Sequence, residues 1–148
     1  MPRRRKAVGV LNRSLFAVVR EFERFRGSIA RERGLTVTEL RALARVAEGG
    51  HITPKQLAQQ LELTTGAVTA LTDRLVDGGL VTREPNPDDR RSLLLAPSEA
   101  GVQLMGDVIA AYEEIVRKST LDVDDQQLEE FATLLDGLVA NGQSILVP

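Results

Sequence analysis

The stretch that decides the fold is ITPKQLAQQLELTTGAVTALTDRLVDGGLVTREPNPDDRRSLLLAPSEA, residues 52–100. Its first half predicts a short helix over 54–61, a tight turn, and a second, Thr-rich helix over 64–75. Thr53 before Pro54 is an N-cap residue followed by proline at the first helical position, and Thr64 is in the same way placed to cap the second helix. Two short helices joined in this manner are a helix-turn-helix, whose second helix enters the major groove of DNA.

The second half of the stretch predicts a β-hairpin, with strands over 80–84 and 92–96. Asp89, Arg90 and Arg91 lie in the loop that joins the strands. A helix-turn-helix followed by a hairpin with a basic tip is a winged helix, in which the tip reaches the DNA backbone or a minor groove. We expect the Asp89 carboxylate to brace the Arg91 guanidinium and Arg90 to contact a phosphate.

The Thr-rich helix is the predicted reading helix. Thr65, Thr69 and Thr72 are expected to be exposed, since a small hydroxyl side chain lets a helix approach base edges closely. The free N–H groups at the helix start, after Thr64, can receive a phosphate. Arg74 supplies the only positive charge on this helix. We therefore expect this helix to distinguish between bases only modestly. The alternative is that these residues form a merely polar helix surface.

Three further helices flank this module, and each has an apolar stripe at three-four spacing. The stripes are Leu11, Leu15, Val18, Phe22, Phe25 and Ile29; Val102, Met105, Ile109, Tyr112 and Val116; and Leu128, Phe131, Leu135 and Leu138. A long amphipathic helix cannot bury its stripe alone, so we expect these helices to pack across a two-fold axis in an obligate homodimer.

The predicted fold is mainly α with a small β-wing: a winged helix-turn-helix plus a helical dimerisation region. We expect an N-terminal dimerisation helix over 1–34, the DNA-binding module over 35–97 and the C-terminal dimerisation helices over 98–148. Either Thr36 or Thr38 caps the first helix of the module. The module can form its own core, from Leu40, Leu43, Leu57, Leu61, Val68, Leu71, Leu75, Leu80, Leu93 and Leu95.

Composition excludes several classes of protein. The chain has 148 residues, no cysteine and one histidine, so disulfides, thiol redox sensing and an ordinary zinc site are not expected. No apolar run is long enough to span a membrane and no secretory signal is visible, so we expect a cytoplasmic protein. No catalytic constellation or phosphate-binding glycine loop can be found, so an enzyme and a cofactor are not expected either.

The net charge is only −2, but the charges are unevenly distributed along the chain. Residues 1–48 carry 12 Lys or Arg and 5 Asp or Glu, whereas residues 98–148 carry 2 and 10. These ends would attract each other if they packed side by side; the alternative is that both are simply solvated faces. The run Arg3–Lys6 is expected to be a mobile tail; the alternative is that it binds the DNA backbone.

The wing sequence LVDGGLVTREPNPDDRRS, residues 75–92, followed by Glu99-Ala-Gly101, resembles the wing signature of the MarR family of regulators. Residues 63–69, LTTGAVT, resemble that family's recognition helix, and length and helix order also agree. The resemblance implies a homodimer that binds pseudo-palindromic operators in double-stranded DNA. It also implies that Asp89 and Arg91 are the wing pair, and that Thr65, Gly66, Thr69 and Arg74 belong to the reading helix. The sequence departs from the family at Pro97-Ser98, where Leu-Thr is usual.

Members of this family often release DNA when a small aromatic or phenolic ligand binds, so the resemblance also implies such an effector. Phe16 and Phe25 are the candidate apolar contacts near the junction of the two predicted parts, with Arg20 available for a carboxylate. The competing interpretation is that such apolar residues are core. At the level of the whole protein, the alternative is a winged-helix module that docks another protein and does not bind DNA.

Overall fold

The structure, a computed structural model, describes residues 2–89 and 91–146, and within them it has six helices and one two-stranded sheet. This confirms the mainly α fold with a small β-wing. The elements are α1 (Pro2–Glu32), α2 (Val37–Gly49), α3 (Pro54–Leu61), α4 (Thr65–Asp77), β1 (Val81–Pro85), β2 (Leu93–Pro97), α5 (Glu99–Ser119) and α6 (Asp125–Leu146).

Local hydrogen bonds set where the helices of the module begin. Thr36, the first of the two candidate caps, accepts the backbone N–H of Glu39 at the start of α2. Thr53 caps α3 with Pro54 in its first turn, and Thr64 caps α4, as expected. Each threonine satisfies an N–H group that the helix itself leaves without an acceptor. These three predictions rest on adjacent residues alone, and all are confirmed.

The wing is an antiparallel pair in which Val81 lies opposite Pro97 and Pro85 opposite Leu93. Both strands lie one residue later in the chain than the sequence predicts. Ile52, before α3, adds a single bridge to Leu95 on the outer side of the hairpin. The hairpin is thereby attached to the helix-turn-helix at its base, while its tip projects beyond that attachment.

The core of the module lies between α2, α3, α4 and the base of the hairpin. Most of the predicted core residues are buried; Leu43, Leu57, Leu75, Leu95 and Val68 have no exposed surface. Leu93 is a wrong prediction, since it is 47% exposed. It lies two residues from Leu95 but pairs with Pro85 at the end of the ladder next to the loop, farthest from the Val81–Pro97 pair.

The chain divides into two compact units, Met1–Ile109 and Ala110–Pro148. In the first unit the end of α1 packs on α2, and Gly101, Leu104 and Val108 of α5 are buried. In the second unit α6 has no buried side chain among residues 125–144. The dimerisation regions expected over 1–34 and 98–148 stay a prediction.

The expectation of a mobile tail at Arg3–Lys6 is wrong, since these residues form the first turns of α1. All four side chains are exposed on the helix. The basic side chains of α1 therefore belong to one 31-residue helix. None of the helices in the described ranges has the length and apolarity that a membrane crossing requires.

Candidate nucleic-acid interface

The first two turns of α4 present small side chains to solvent. Thr65, Gly66 and Thr69 are all exposed, as the sequence predicts for a reading helix. A Cβ placed on Gly66 would meet no atom within 4 Å, so packing does not require a glycine there. The surface around it is open enough for another backbone to approach closely.

The threonine hydroxyls of this surface are already engaged along the helix. Thr64 accepts the N–H of Ala67 at 3.3 Å, and Thr69 donates to the carbonyl oxygen of Thr65 at 3.0 Å. Thr69 can thus offer a ligand its oxygen lone pairs and its methyl group, while its proton serves the helix. A methyl group facing outward is suited to contact with the thymine methyl in a major groove.

Thr72 does not belong to this surface, and its expected exposure is wrong. Its side chain is 1% exposed, and its hydroxyl donates to the carbonyl oxygen of Thr69 at 3.0 Å. Thr72 shares one helix face with Val68, Leu71 and Leu75, all buried, and the four residues lie at positions i, i+3, i+4 and i+7. The periodicity of α4 was the signal that could have placed this residue inward.

Arg74 forms an ion pair across elements, with the carboxylate of Glu39 in α2. The sequence analysis did not identify Glu39, although the spacing Thr36-x-x-Glu39 is that of a capping box. Burial by itself raises the pKa of the Glu39 carboxyl, but hydrogen bonds from the Thr36 backbone and from Arg74 outweigh this and hold the pKa below its ordinary value. The carboxylate is therefore ionised at neutral pH, 5% exposed, and paired with the reading helix.

The wing loop is held by its own hydrogen bonds. Asn86 donates from its side chain to the Ser92 hydroxyl at 2.7 Å, and the Ser92 backbone N–H donates to the carbonyl oxygen of Asp89 at 3.0 Å. The Asn86 side chain also accepts the N–H of Asp88 at 3.0 Å. The loop therefore has a defined shape around its exposed charged side chains.

The expected brace between Asp89 and the Arg91 guanidinium is not the contact that forms. The Asp89 carboxylate accepts the backbone N–H of Arg91 at 2.9 Å, and among the described residues no ion pair joins the two side chains. In a tight loop the amide two residues on is closer to the carboxylate than the end of a long side chain, so an Asx-turn forms. Asp89 thus fixes the backbone from which the exposed Arg91 extends, and Arg90 lies outside the described residues.

The wing is also tied to the reading helix. Arg83 of β1 donates from Nη2 to the carboxylate of Asp73 in α4, and lies 3.4 Å from the hydroxyl of Thr72. This pair was not predicted, because the two residues lie on different elements. It keeps the hairpin and α4 in one orientation and engages Arg83, so Arg91 is a better candidate for contact with DNA.

The candidate effector residues lie on α1. Phe16 is 65% exposed and Arg20 is exposed four residues later, so that both side chains lie on one helix face. Phe25 is half-buried. Phe16 and Arg20 therefore share one helix face, whereas Phe25 lies more than two turns from Phe16 and about 180° around the helix.

The arrangement as a whole suits binding and contains no catalytic constellation in the described ranges. No three acidic or histidine side chains of those ranges are grouped to hold a metal ion. The exposed start of α4 and the wing loop are two separate contact surfaces, and both are attached to the core of the module. Such a pair of surfaces can dock a helix in a groove and an arginine beside it.

Comparison with known proteins agrees with this geometry. Residues 33–92 match the family model described as MarR family. The chain is 33% identical over 122 residues to the HTH-type transcriptional regulator YcgE of Bacillus subtilis, covering 82% of this chain and 77% of that protein. Among solved structures, the transcriptional regulator Tm0710 of Thermotoga maritima superposes with a TM-score of 0.73 at 24% identity, covering 93% of this chain and 97% of that one. A mutant of Escherichia coli MarR complexed with operator DNA superposes with a TM-score of 0.61 at 24% identity, covering 86% of this chain and 92% of that one.

Proposed function

The chain belongs to the MarR family of transcriptional regulators, and from that premise we propose that it is a repressor that binds pseudo-palindromic operators as a homodimer. The observation that carries the proposal is the exposed start of α4 beside an ordered loop that bears Arg91. Thr65, Gly66 and Thr69 read base edges, and Arg91 contacts the backbone or the minor groove. Arg90 is proposed for a phosphate on the sequence alone. Because a regulator must reach its DNA, we propose that the protein is located in the cytoplasm.

The homodimer is supported by the apolar side chains that the single chain leaves exposed. They include Val18 on α1, Ile109 and Val116 on α5, and Phe131 and Val139 on α6. Large apolar patches on a monomer mark interfaces, and a second copy is the partner always present at equal concentration. In the dimer two α4 helices about 34 Å apart enter successive major grooves.

The proposed function is tested by selecting bound sequences from random DNA and titrating the selected operator with salt. Arg91→Ala is expected to weaken binding about three- to tenfold and to lower the slope of log K against log salt by about one unit, because one phosphate contact is lost. If Arg91 also enters a narrow minor groove, A·T-rich flanks lose their advantage in the variant.

Arg24→Ala is the matched control, since it removes the same charge from an exposed arginine of α1, away from the wing. It is expected to leave both affinity and salt slope close to those of the unmodified protein. Selection that yields no preferred sequence would favour the alternative, a module that docks protein. Equal binding of the unmodified protein and Arg91→Ala at every salt concentration would remove the wing from the interface.

We further propose that a small aromatic or phenolic acid is the effector, held on α1 by Phe16 and Arg20; Phe25, on the opposite face of the helix, is not part of this proposal. The exposed ring supplies apolar contact and the guanidinium can pair with a carboxylate in two parallel hydrogen bonds. A ligand that prefers one spacing of the two α4 helices shifts the population of dimers away from the form that fits DNA.

Linkage gives this effector proposal its test. If the ligand lowers operator affinity, operator must lower ligand affinity by the same factor, about five- to 150-fold for typical allosteric coupling. Calorimetry with salicylate on free and operator-bound protein measures both sides of the cycle. Equal affinity for the two forms, or a Phe16→Ala variant that binds salicylate as well as the unmodified protein, would contradict the proposal.

A further inference from the structure

A buried carboxylate joins the first helix of the module to the reading helix. Glu39 accepts the backbone N–H of Thr36 at 2.7 Å and the Thr36 hydroxyl at 2.9 Å, both through Oε2. Its other oxygen, Oε1, accepts the Nε–H of Arg74, 35 residues further along the chain. One carboxylate thus bridges the N-terminus of α2 and the last turns of α4.

The guanidinium of Arg74 is held at one end and exposed at the other. Its Nε is engaged by Glu39, whereas Nη1 and Nη2 have no hydrogen bond or ion pair with any residue that the structure describes. The Arg74 side chain is 60% exposed while that of Glu39 is 6% exposed. Four N–H donors, on Nη1 and Nη2, therefore remain available on a guanidinium that Glu39 holds at Nε.

We propose that Glu39 is a positioning residue for operator binding: it holds Arg74 by Nε so that the two terminal amino groups meet a DNA phosphate. This inference rests on the proposed function, since it names a residue that prepares the same interface. An arginine already held in one rotamer loses less conformational freedom when it binds, so more of the contact energy appears as affinity.

The capping box alone does not explain a carboxylate at this position. The next helix, α3, has the same box with a neutral residue: Gln56 accepts the backbone N–H of Thr53 at 2.8 Å and its hydroxyl at 2.9 Å. A glutamine side chain therefore does everything that the cap requires in this very module. What the glutamate adds is a second anionic oxygen, and that oxygen faces Arg74.

The experiment uses Glu39→Gln, which keeps the hydrogen bonds to Thr36 at the start of α2 and removes the hydrogen bond to Nε of Arg74. With its carbonyl oxygen on Thr36, the new amide directs an NH2 group at Nε, and two donors cannot bond. Operator affinity is expected to fall about fivefold at constant salt. In an Arg74→Ala background the same substitution is expected to change affinity by less than about twofold, since it acts only through Arg74.

Arg74→Lys is the second variant, because lysine keeps the charge and has no Nε to be held. It is expected to lose affinity to about the same extent as Glu39→Gln, while circular dichroism shows an unchanged helix content. An equal fold-loss with Glu39→Gln in both backgrounds would overturn the inference and leave a purely structural role. Unchanged or tighter binding by Glu39→Gln, or by Arg74→Lys, would also overturn it. If the unmodified protein selects no operator at all, the proposed function fails, and this inference fails with it.

Discussion

Leu138→Asp is expected to convert the proposed homodimer to a monomer and to weaken operator binding by about 100-fold or more. Residues 125–144 of α6 include no buried side chain, yet Phe131, Leu134 and Val139 around Leu138 are apolar and between 47% and 61% exposed. A two-fold interface contains every substitution twice, so two carboxylates would enter the same apolar contact. Each factor of ten corresponds to about 1.4 kcal/mol, and two buried unpaired charges exceed twice that amount.

Ala140→Asp is the matched control for this experiment. Ala140 lies two residues from Leu138, about 200° around the helix, and is exposed, so the variant adds the same charge to the opposite face of α6. Sedimentation velocity at micromolar concentration is expected to find a dimer for the unmodified protein and for Ala140→Asp, and a smaller species for Leu138→Asp. A folded monomer for the unmodified protein, or a Leu138→Asp variant that stays dimeric, would contradict the proposed interface.

Gly101→Ala is expected to destabilise the protein by about 2–3 kcal/mol and lower its Tm by roughly 5–10 °C. A Cβ on Gly101 would lie 2.1 Å from the carbonyl oxygen of Leu80 and 3.2 Å from the Leu43 side chain. That carbonyl oxygen is backbone and cannot rotate away, and it also accepts the N–H of Ser98 at 3.0 Å. The first turn of α5 must therefore move off the turn that ends the reading helix.

Gly106→Ala tests the same change five residues later in α5, where a Cβ would meet no atom within 4 Å. Alanine is the better helix former by about 1 kcal/mol, so this variant is expected to unfold at a slightly higher temperature. Thermal unfolding followed by circular dichroism separates the two variants by the sign of the shift. Shifts of the same sign and size would show that Gly101 is not required by the contact with Leu80.

The start of α5 is also hydrogen-bonded to the turn that follows α4. The Ser98 hydroxyl donates to the carbonyl oxygen of Gly79 at 2.6 Å and accepts the N–H of Gly101 at 3.0 Å. Ser98 therefore caps α5 and in addition holds the turn that follows α4. The departure from the family pattern at Pro97-Ser98 leaves this cap intact.

The order of helices and strands could be predicted because each signal lies within a few residues. Thr53 with Pro54 begins α3, and Thr64 begins α4, through hydrogen bonds to backbone groups one turn away. The wing was predicted to within one residue, since turn residues and alternating side chains identify a hairpin but fix its register only loosely. The regulator family was likewise identified from contiguous motifs, and the comparisons confirm it.

Three of the errors concern the surroundings of single side chains. Thr72 was expected at the surface, but α2 and β1 cover that face of α4. Leu93 was expected in the core, but it pairs with Pro85 at the loop end of the ladder and is 47% exposed. The Asp89 carboxylate was assigned to a guanidinium, and a nearer backbone amide took it instead. The helical period of α4 would have placed Thr72 inward, whereas the exposure of Leu93 and the partner of Asp89 depend on the path of the hairpin in space.

The sequence by itself thus determined the elements, their caps and the family, because helix starts and turns depend on hydrogen bonds between residues close in the chain. Only the tertiary structure decided that Glu39 holds Arg74 and that Arg83 holds Asp73. Those pairs join residues 35 and 10 positions apart on different elements. Such contacts form only when packing of the common core brings the elements together, and no periodicity of one helix or strand records its partner's side chains.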